Sequence, residues 1–371
     1  LTTGFGSATY YGVMGATGAF IALSFYAVVA GWTVDYFYQS VAHGFSGITA
    51  EESSQALGEL LGNPGRMIIG QSLFLFLTVV TVAAGVKKGL ERSLRYLTPT
   101  LFVILLALLV FAFFAGDMRA GAAFLFVPDF AKLDMETVLM AVGQAFFSLG
   151  IGLGVLLTIG AYMDHSTSIV RASIVVAAAD GLVALIAGLA IFPIVFAHGL
   201  SPADGPGLIF ATLPVAFGQM PAGTFLAPLF FVLMAVAALT SAITILETVV
   251  AAIEDYSRMS RRKIAAVVGA LLWVVGLGTV FSFNILENYY PLGFLPAFAE
   301  RTIFESLDYI VSNFMMPAGG MLIAILAGWG LGARVTRDEL AVGDSRWFRL
   351  WLLFVRFLVP AAIGMVFISI I

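Results

Sequence analysis

Nine stretches of this chain stay apolar for roughly the 20 residues that a helix needs to cross the hydrocarbon core of a bilayer. They run approximately over Val13–Val34, Met67–Val86, Leu97–Gly116, Thr137–Met163, Ser173–Ala197, Thr224–Ile253, Ile264–Phe281, Ile303–Trp329 and Trp347–Ile371. No water-soluble fold buries so many. With 61% hydrophobic residues, 11% charged residues and a mean hydropathy of +1.03, an ordinary soluble domain is excluded. The expectation is an all-α polytopic membrane protein, a single transmembrane domain over residues 1–371. The absence of cysteine removes disulfides, thiolate metal sites and cysteine nucleophiles. His43, His165 and His198 stand far apart in loop-like sequence, and no base–nucleophile pair is seen, so an enzyme is not expected.

The loops between the stretches alternate in charge. Lys87, Lys88, Arg92, Arg95, Arg171, Arg258, Arg261, Arg262, Lys263, Arg334, Arg337, Arg346 and Arg349 fall on one side, thirteen in all. Arg66, Arg119, Lys132 and Arg301 fall on the other. The positive-inside rule puts the thirteen in the cytoplasm, with the N-terminus inside and the C-terminus outside a cell membrane, in keeping with an odd number of spans. No charged n-region of a signal peptide precedes the first span, and the chain opens on Leu1 rather than Met, which points to sequence upstream. Among the outer loops, Thr49–Glu59 reads as a short surface helix. His198–Gly223, with Pro202, Pro206, Pro214 and Pro221, reads as short helices broken by turns, its Leu208, Ile209 and Phe210 dipping back onto the bundle.

One stretch is unlike the rest. Val142–Met163 reads VGQAFFSLGIGLGVLLTIGAYM, and Gly150, Gly152 and Gly154 crowd its middle, each costing about 1 kcal/mol relative to alanine in a helix interior. Unpaired backbone in hydrocarbon costs several kcal/mol per group, so a break there survives only where protein, ion or ligand satisfies it. Interrupted helices of this kind build the midplane sites of many secondary transporters. Close helix packing through Gly150 and Gly154 is the competing reading, and the glycines alone favour it. A nucleotide-binding loop is not supported, because no strand precedes the glycines.

Polar groups at membrane depth are few. Asp180 lies about two turns into the fifth stretch, and Glu247 lies within the sixth; intramembrane acids mark sites or pathways. Thr240 and Ser241, set among alanines, offer oxygen ligands to a hard cation, or bond back to carbonyls one turn earlier. Tyr26 sits in mid-stretch near Ser24, and Arg356 in the ninth stretch is expected to meet a lipid headgroup or an interior acid.

Taken together the motifs resemble the neurotransmitter:sodium symporter family, of which the bacterial leucine transporter is the structural type. PDFAKL (Pro128–Leu133) followed by VGQAFFSLGIGLG is similar to the third outer loop and unwound sixth helix of that family. AGLAIFP (Ala187–Pro193) resembles the seventh helix and GPGLIFATLP (Gly205–Pro214) the fourth outer loop. GTFLAPLFF and ALTSAITILE (Gly223–Phe231, Ala238–Glu247) resemble the eighth helix, and LDYIVSN (Leu307–Asn313) the tenth. In this register the first stretch is similar to helix three, with Tyr26 and Trp32 aligned. The nine spans then correspond to helices three to eleven of the inverted-repeat fold, and helices one and two are missing.

The resemblance implies sodium-coupled symport of a neutral, hydrophobic or aromatic amino acid, with sodium ions as coupling ions, no other cofactor, the lipid bilayer as surroundings and no nucleic-acid partner. It gives Tyr26 the substrate carboxylate, makes Phe147 a lid on the outer side, and lines the side-chain pocket with Gly150, Leu153 and Ile245. Ser148 and Asp180 join a first sodium site; the Ala237 carbonyl with the Thr240 and Ser241 hydroxyls forms part of a second. Asp308 is the acid of an outer gate, and Asp255 with Tyr162 belongs to an inner gate. The arginine partners of both gate acids fall on the missing N-terminal portion. Relatives that do without chloride carry a carboxylate at the position of Ala184; here Asp180, one turn earlier, is the substitute, so chloride is not expected to be required. The other reading is a truncated, non-transporting scaffold or regulatory remnant of the same fold.

Overall fold

The computed structural model describes Phe5–Ile370 apart from His165, Ala203, Asp204 and Asp344, so one of the three histidines lies outside the described residues. All the regular secondary structure among the described residues is helical. α1 (Phe5–Ala42) has 38 residues and rises about 57 Å, well beyond the hydrocarbon core, so it overruns the expected Val13–Val34 at both ends. A capping box between Thr49 and Glu52 starts the surface helix α2 (Ala50–Leu61), where the sequence placed one. Asn63 caps α3 (Pro64–Ala83), with proline at its first position. A π-helical turn, Val86–Glu91, leads into α4 (Arg92–Ala115), and α5 (Met118–Phe126) follows.

Next come α6 (Met135–Ser148) and α7 (Val155–Ala161), the two halves of the glycine-rich stretch, and then α8 (Ile169–Ala197). The long loop holds α9 (Leu213–Gln219), after which α10 (Gly223–Glu254) and α11 (Arg261–Phe281) run without interruption. α12 (Ile303–Tyr309) continues through a π turn, Ile310–Met315, into α13 (Met316–Ile325) and a second π turn, Leu326–Gly330. Finally α14 (Ala333–Leu340) and α15 (Arg346–Leu353) lead through the π turn Phe354–Leu358 into α16 (Val359–Ile370). Among the described residues, eight helical runs are long and apolar enough to span a membrane. The ninth apolar stretch is the one divided between α6 and α7.

α1 is the central member, packed on α10, α3 and α11, while α8 packs on α4 and α5. Small residues let backbones meet at these crossings. A Cβ on Gly31 of α1 would stand 2.6 Å from the Gln71 amide nitrogen of α3, and one on Gly70 2.6 Å from the Gly31 carbonyl oxygen, so neither site tolerates a side chain. Gly121 of α5 likewise presses on the Pro193 ring of α8. Apolar residues drawn from the long loop between α8 and α10 finish the core. Phe210 is 2% exposed and stands 5.0 Å, centroid to centroid, from Tyr36, with Trp32 and Phe231 on its other sides. The Ser53 hydroxyl of α2 donates to the Ala211 carbonyl at 2.7 Å and holds that loop down.

Candidate functional site

The stretch between α6 and α7 is a true break. Gly150, Gly152 and Gly154 have φ of +64°, +96° and +75°, the left-handed region that side chains other than glycine enter only with strain. Ile151 still donates to the Phe146 carbonyl at 2.9 Å, but no backbone hydrogen bond among the described residues reaches the amides of Gly152, Leu153 or Gly154. The break is wedged in place by its neighbours. A Cβ on Gly152 would overlap the Met316 carbonyl of α13, and a Cβ on Gly15 of α1 would lie 3.0 Å from the Gly154 Cα. The helix is interrupted at all three glycines, whereas close packing is made by Gly152 and Gly154 and not by Gly150, whose Cβ would meet only Val155 at 3.8 Å. α6 starts firmly: the Thr137 amide and hydroxyl each donate to Asp134 at 2.7 Å. The amide first and the hydroxyl second hold that carboxyl below its usual range.

The expected site residues gather in three places. Between α6 and α8, the Ser148 hydroxyl donates to Asp180 Oδ1 at 2.6 Å, bringing together two oxygen-bearing side chains that are 32 residues apart in sequence. α8 begins at Ile169, capped by Ser168, so Asp180 stands about three turns inside rather than two. Phe147, next to Ser148, is 47% exposed. Between α1 and α10, the Tyr26 hydroxyl reaches the Ala238 carbonyl at 3.4 Å and lies beside the Ser241 hydroxyl. Ile245 is on the same face of α10, four residues on from Ser241, and packs against the same apolar cluster as Tyr26. Leu153 is 5% exposed and packs apart from these, with Ala22, Phe25, Val311 and Met316.

The threonine hydroxyls of α10 bond back one turn, as one of the two readings had it for Thr240, whereas the Ser241 hydroxyl faces Tyr26. Thr240 donates to the Ala237 carbonyl at 2.8 Å, Thr244 to Ser241 at 2.8 Å, and Thr248 to Thr244 at 3.1 Å. This row ends at the break, where a Cβ on Gly154 would lie 3.3 Å from the Thr248 methyl.

At the end of the bundle where α7 and α10 finish, Tyr162, just after α7, donates to Glu247 Oε1 at 2.7 Å, a contact the sequence did not name. Glu247 is fully buried and salt-bridged to Arg261, which also meets Glu254 at 2.8 Å and the Val82 carbonyl at 3.2 Å. Sequence reading took Glu247 and Arg261 separately. The signal that joins them is the cost of a lone carboxylate at membrane depth, with the nearest basic run, Arg258–Lys263, closing the turn just after the same helix. Asp255 ends α10 beside Tyr256 and faces a cavity against Ala16 and Phe20 of α1. Asp308 accepts from the Ser312 hydroxyl at 3.0 Å. Arg356 Nε donates to the Gly328 carbonyl at 2.6 Å, a carbonyl in the π turn Leu326–Gly330.

Residues 50–291 match the sequence profile of the sodium:neurotransmitter symporter family. The chain is 34% identical over 363 residues to the uncharacterized sodium-dependent transporter YhdH of Bacillus subtilis (strain 168), covering 97% of this chain and 79% of that one. It is 30% identical over 363 residues to an uncharacterized sodium-dependent transporter of Haemophilus influenzae, covering 96% and 78%. The crystal structure of MhsT in complex with L-phenylalanine superposes with a TM-score of 0.88 at 38% identity, covering 98% of this chain and 81% of that chain.

Proposed function

The chain belongs to the sodium:neurotransmitter symporter family, and from that premise we propose that it carries a neutral, hydrophobic or aromatic amino acid across the membrane with sodium, by alternating access. It is a multi-pass membrane protein of a sodium-coupled transporter family rather than an enzyme. The observation that carries the proposal is the break at Leu149–Gly154, where positive-φ glycines free peptide groups inside an otherwise helical bundle. Freed amides suit a substrate carboxylate and freed carbonyls a cation or ammonium. Tyr26 is the further carboxylate donor: its 3.4 Å bond to Ala238 is long and easily exchanged. Gly150 and Ile245 bring no charge to the pocket, and Leu153, packed in a separate apolar cluster here, brings none where it joins them; this favours an apolar side chain, with Phe147 as the cover on the outer side. The phenylalanine bound to the similar MhsT supports the same choice of substrate class.

In this reading Ser148 and Asp180 contribute to one sodium site, and the Ala237 carbonyl, Thr240 and Ser241 to another. All are oxygen donors, as a hard cation requires. Asp180 brings its own negative charge, worth about 4 kcal/mol to a cation at 4 Å if the effective dielectric constant is near 20. Chloride is then not needed. Asp308 serves the outer gate, Asp255 and Tyr162 the inner one, with Tyr162 anchored through Glu247 to Arg261. The distribution of Lys and Arg supports a cytoplasmic start for α1, and the bacterial relatives support a bacterial cell membrane as its location.

Proteoliposome uptake tests this. An inward sodium gradient is expected to drive uptake of labelled phenylalanine, leucine or tryptophan, undiminished when gluconate replaces chloride. Competition by lysine or glutamate stronger than by leucine would overturn the substrate class, and uptake that collapses without chloride would overturn the role of Asp180.

A further inference from the structure

The outer ends of α1 and α3 enclose a cavity of about 560 Å³ that takes no part in the transport site. Its polar end holds Asp35, Gln39, His43 and Arg66, and its apolar wall holds Ile69 and Leu73. Arg66 grips Asp35 with two prongs, Nε to Oδ1 at 3.1 Å and Nη2 to Oδ2 at 2.6 Å, while the Gln39 amide donates to the same Oδ2 at 2.5 Å. The carboxylate is thus supplied with donors and its side chain is only 12% exposed. The guanidinium is 32% exposed, and its Nη1 makes no hydrogen bond among the described residues. What the cavity offers a ligand is therefore donors: the free edge of an arginine and, beside it, the His43 ring. That is the chemistry of phosphate recognition, since the planar guanidinium matches phosphate oxygens and its charge strengthens the bond.

The cavity continues downward as a lipid-facing strip. Ile69, Leu73, Phe76, Leu77 and Val80 follow helical spacing along one face of α3, each 51% to 64% exposed. From Ile69 to Val80 the helix rises about 16 Å, close to the thickness of one leaflet, about 15 Å. Arg66, in the first turn of the span, stands at the depth where headgroups lie. A polar end that donates and an apolar strip one leaflet long describe an amphiphile.

We propose that this cavity binds the phosphodiester headgroup of an outer-leaflet phospholipid, with an acyl chain lying along α3. Native mass spectrometry of the detergent-purified chain with added palmitoyl-oleoyl phosphatidylglycerol reads the site directly. The wild-type protein is expected to retain one lipid that Arg66→Gln retains roughly tenfold less, the scale of one charge-assisted hydrogen bond. Because Arg66→Gln also breaks the pair with Asp35, Leu73→Trp provides the second arm: it fills the strip from an exposed position and leaves the ion pair intact. It is expected to lower retention comparably with an unchanged melting temperature. Equal retention by wild type and Leu73→Trp would overturn the proposal. So would displacement of the lipid by millimolar inorganic phosphate, which would mark a plain anion site.

Discussion

α10 and the α6–α7 pair both carry polar groups through the middle of the bundle, and they handle the backbone in opposite ways. α10 runs unbroken for 32 residues, and its threonine hydroxyls are parked on carbonyls of their own helix. α6–α7 gives up its ladder at three left-handed glycines and leaves peptide groups to be met from outside. A hydroxyl bonded back to its own helix is worth only about 1 kcal/mol net, so a cation can take its oxygen without disturbing the fold. A freed peptide group in hydrocarbon costs several kcal/mol until something meets it. In the proposed function the unbroken helix holds ion ligands in reserve, whereas the broken one is held by α1, α10 and α13 pressing on it from three sides. The two are tied at the inner end, where Tyr162 after α7 meets Glu247 of α10.

Breaking that tie should give the largest effect. Glu247→Gln removes the charge from a fully buried carboxylate paired with Arg261 and should cost about 3 kcal/mol, the low end of the range for breaking a buried pair, because Arg261 is partly exposed and keeps Glu254. A melting temperature unchanged from wild type would show that the inner end does not hold the helices together. Next comes the break itself. Gly152→Ala puts a side chain at φ +96° and against the Met316 carbonyl, for about 1–3 kcal/mol of backbone strain with the collision added. Gly160→Ala in α7 is the control, with nothing within 4 Å of its Cβ, and should be neutral or slightly stabilising. Equal melting temperatures for the two variants would contradict a glycine-dependent break.

The ion ligands should separate more gently. Asp180→Asn should raise the sodium concentration for half-maximal uptake roughly tenfold, since it removes a full charge, whereas Thr240→Val, which removes a neutral oxygen, should raise it only a few-fold. The reverse order would move the weight of sodium binding to α10. The smallest effect lies at the cap of α6. The Thr137 amide, followed by its hydroxyl, lowers the Asp134 carboxyl against a smaller opposing effect of desolvation. A carboxyl lowered in the folded state stabilises fully above the unfolded value and loses that stabilisation as pH falls through the lowered one. Amide exchange in the first turn of α6 should therefore be faster in Asp134→Ala than in wild type at neutral pH, and the gap should close only in acid. A gap that widens on acidification would reverse the sign.

Much of the site was readable one element at a time. Ser148, Thr240 and Ser241 stand out because polar side chains are rare at membrane depth, and the glycine triplet stands out because no unbroken helix would choose it. The partners were harder to read. Neither Glu247 as the partner of Tyr162 nor the Gly328 carbonyl as the partner of Arg356 Nε was named from sequence. Both omissions have one cause. A hydrogen bond is decided by which faces of two helices meet, and apolar stretches with little periodic contrast do not reveal their rotation.

By itself the sequence determined the class of protein, the number and order of its apolar stretches, the point where one of them gives way, and which residues bear oxygen at depth. These follow from quantities local to the chain: apolar length against bilayer thickness, and glycine's freedom at positive φ. Tertiary structure alone decided that Ser148 meets Asp180, that Asp35 meets Arg66, and that Glu247 is neutralised by Arg261. Those contacts depend on which helices are neighbours and how each is turned about its axis. That is settled by the whole bundle packing at once, with glycines such as Gly31 and Gly70 determining how closely two backbones approach.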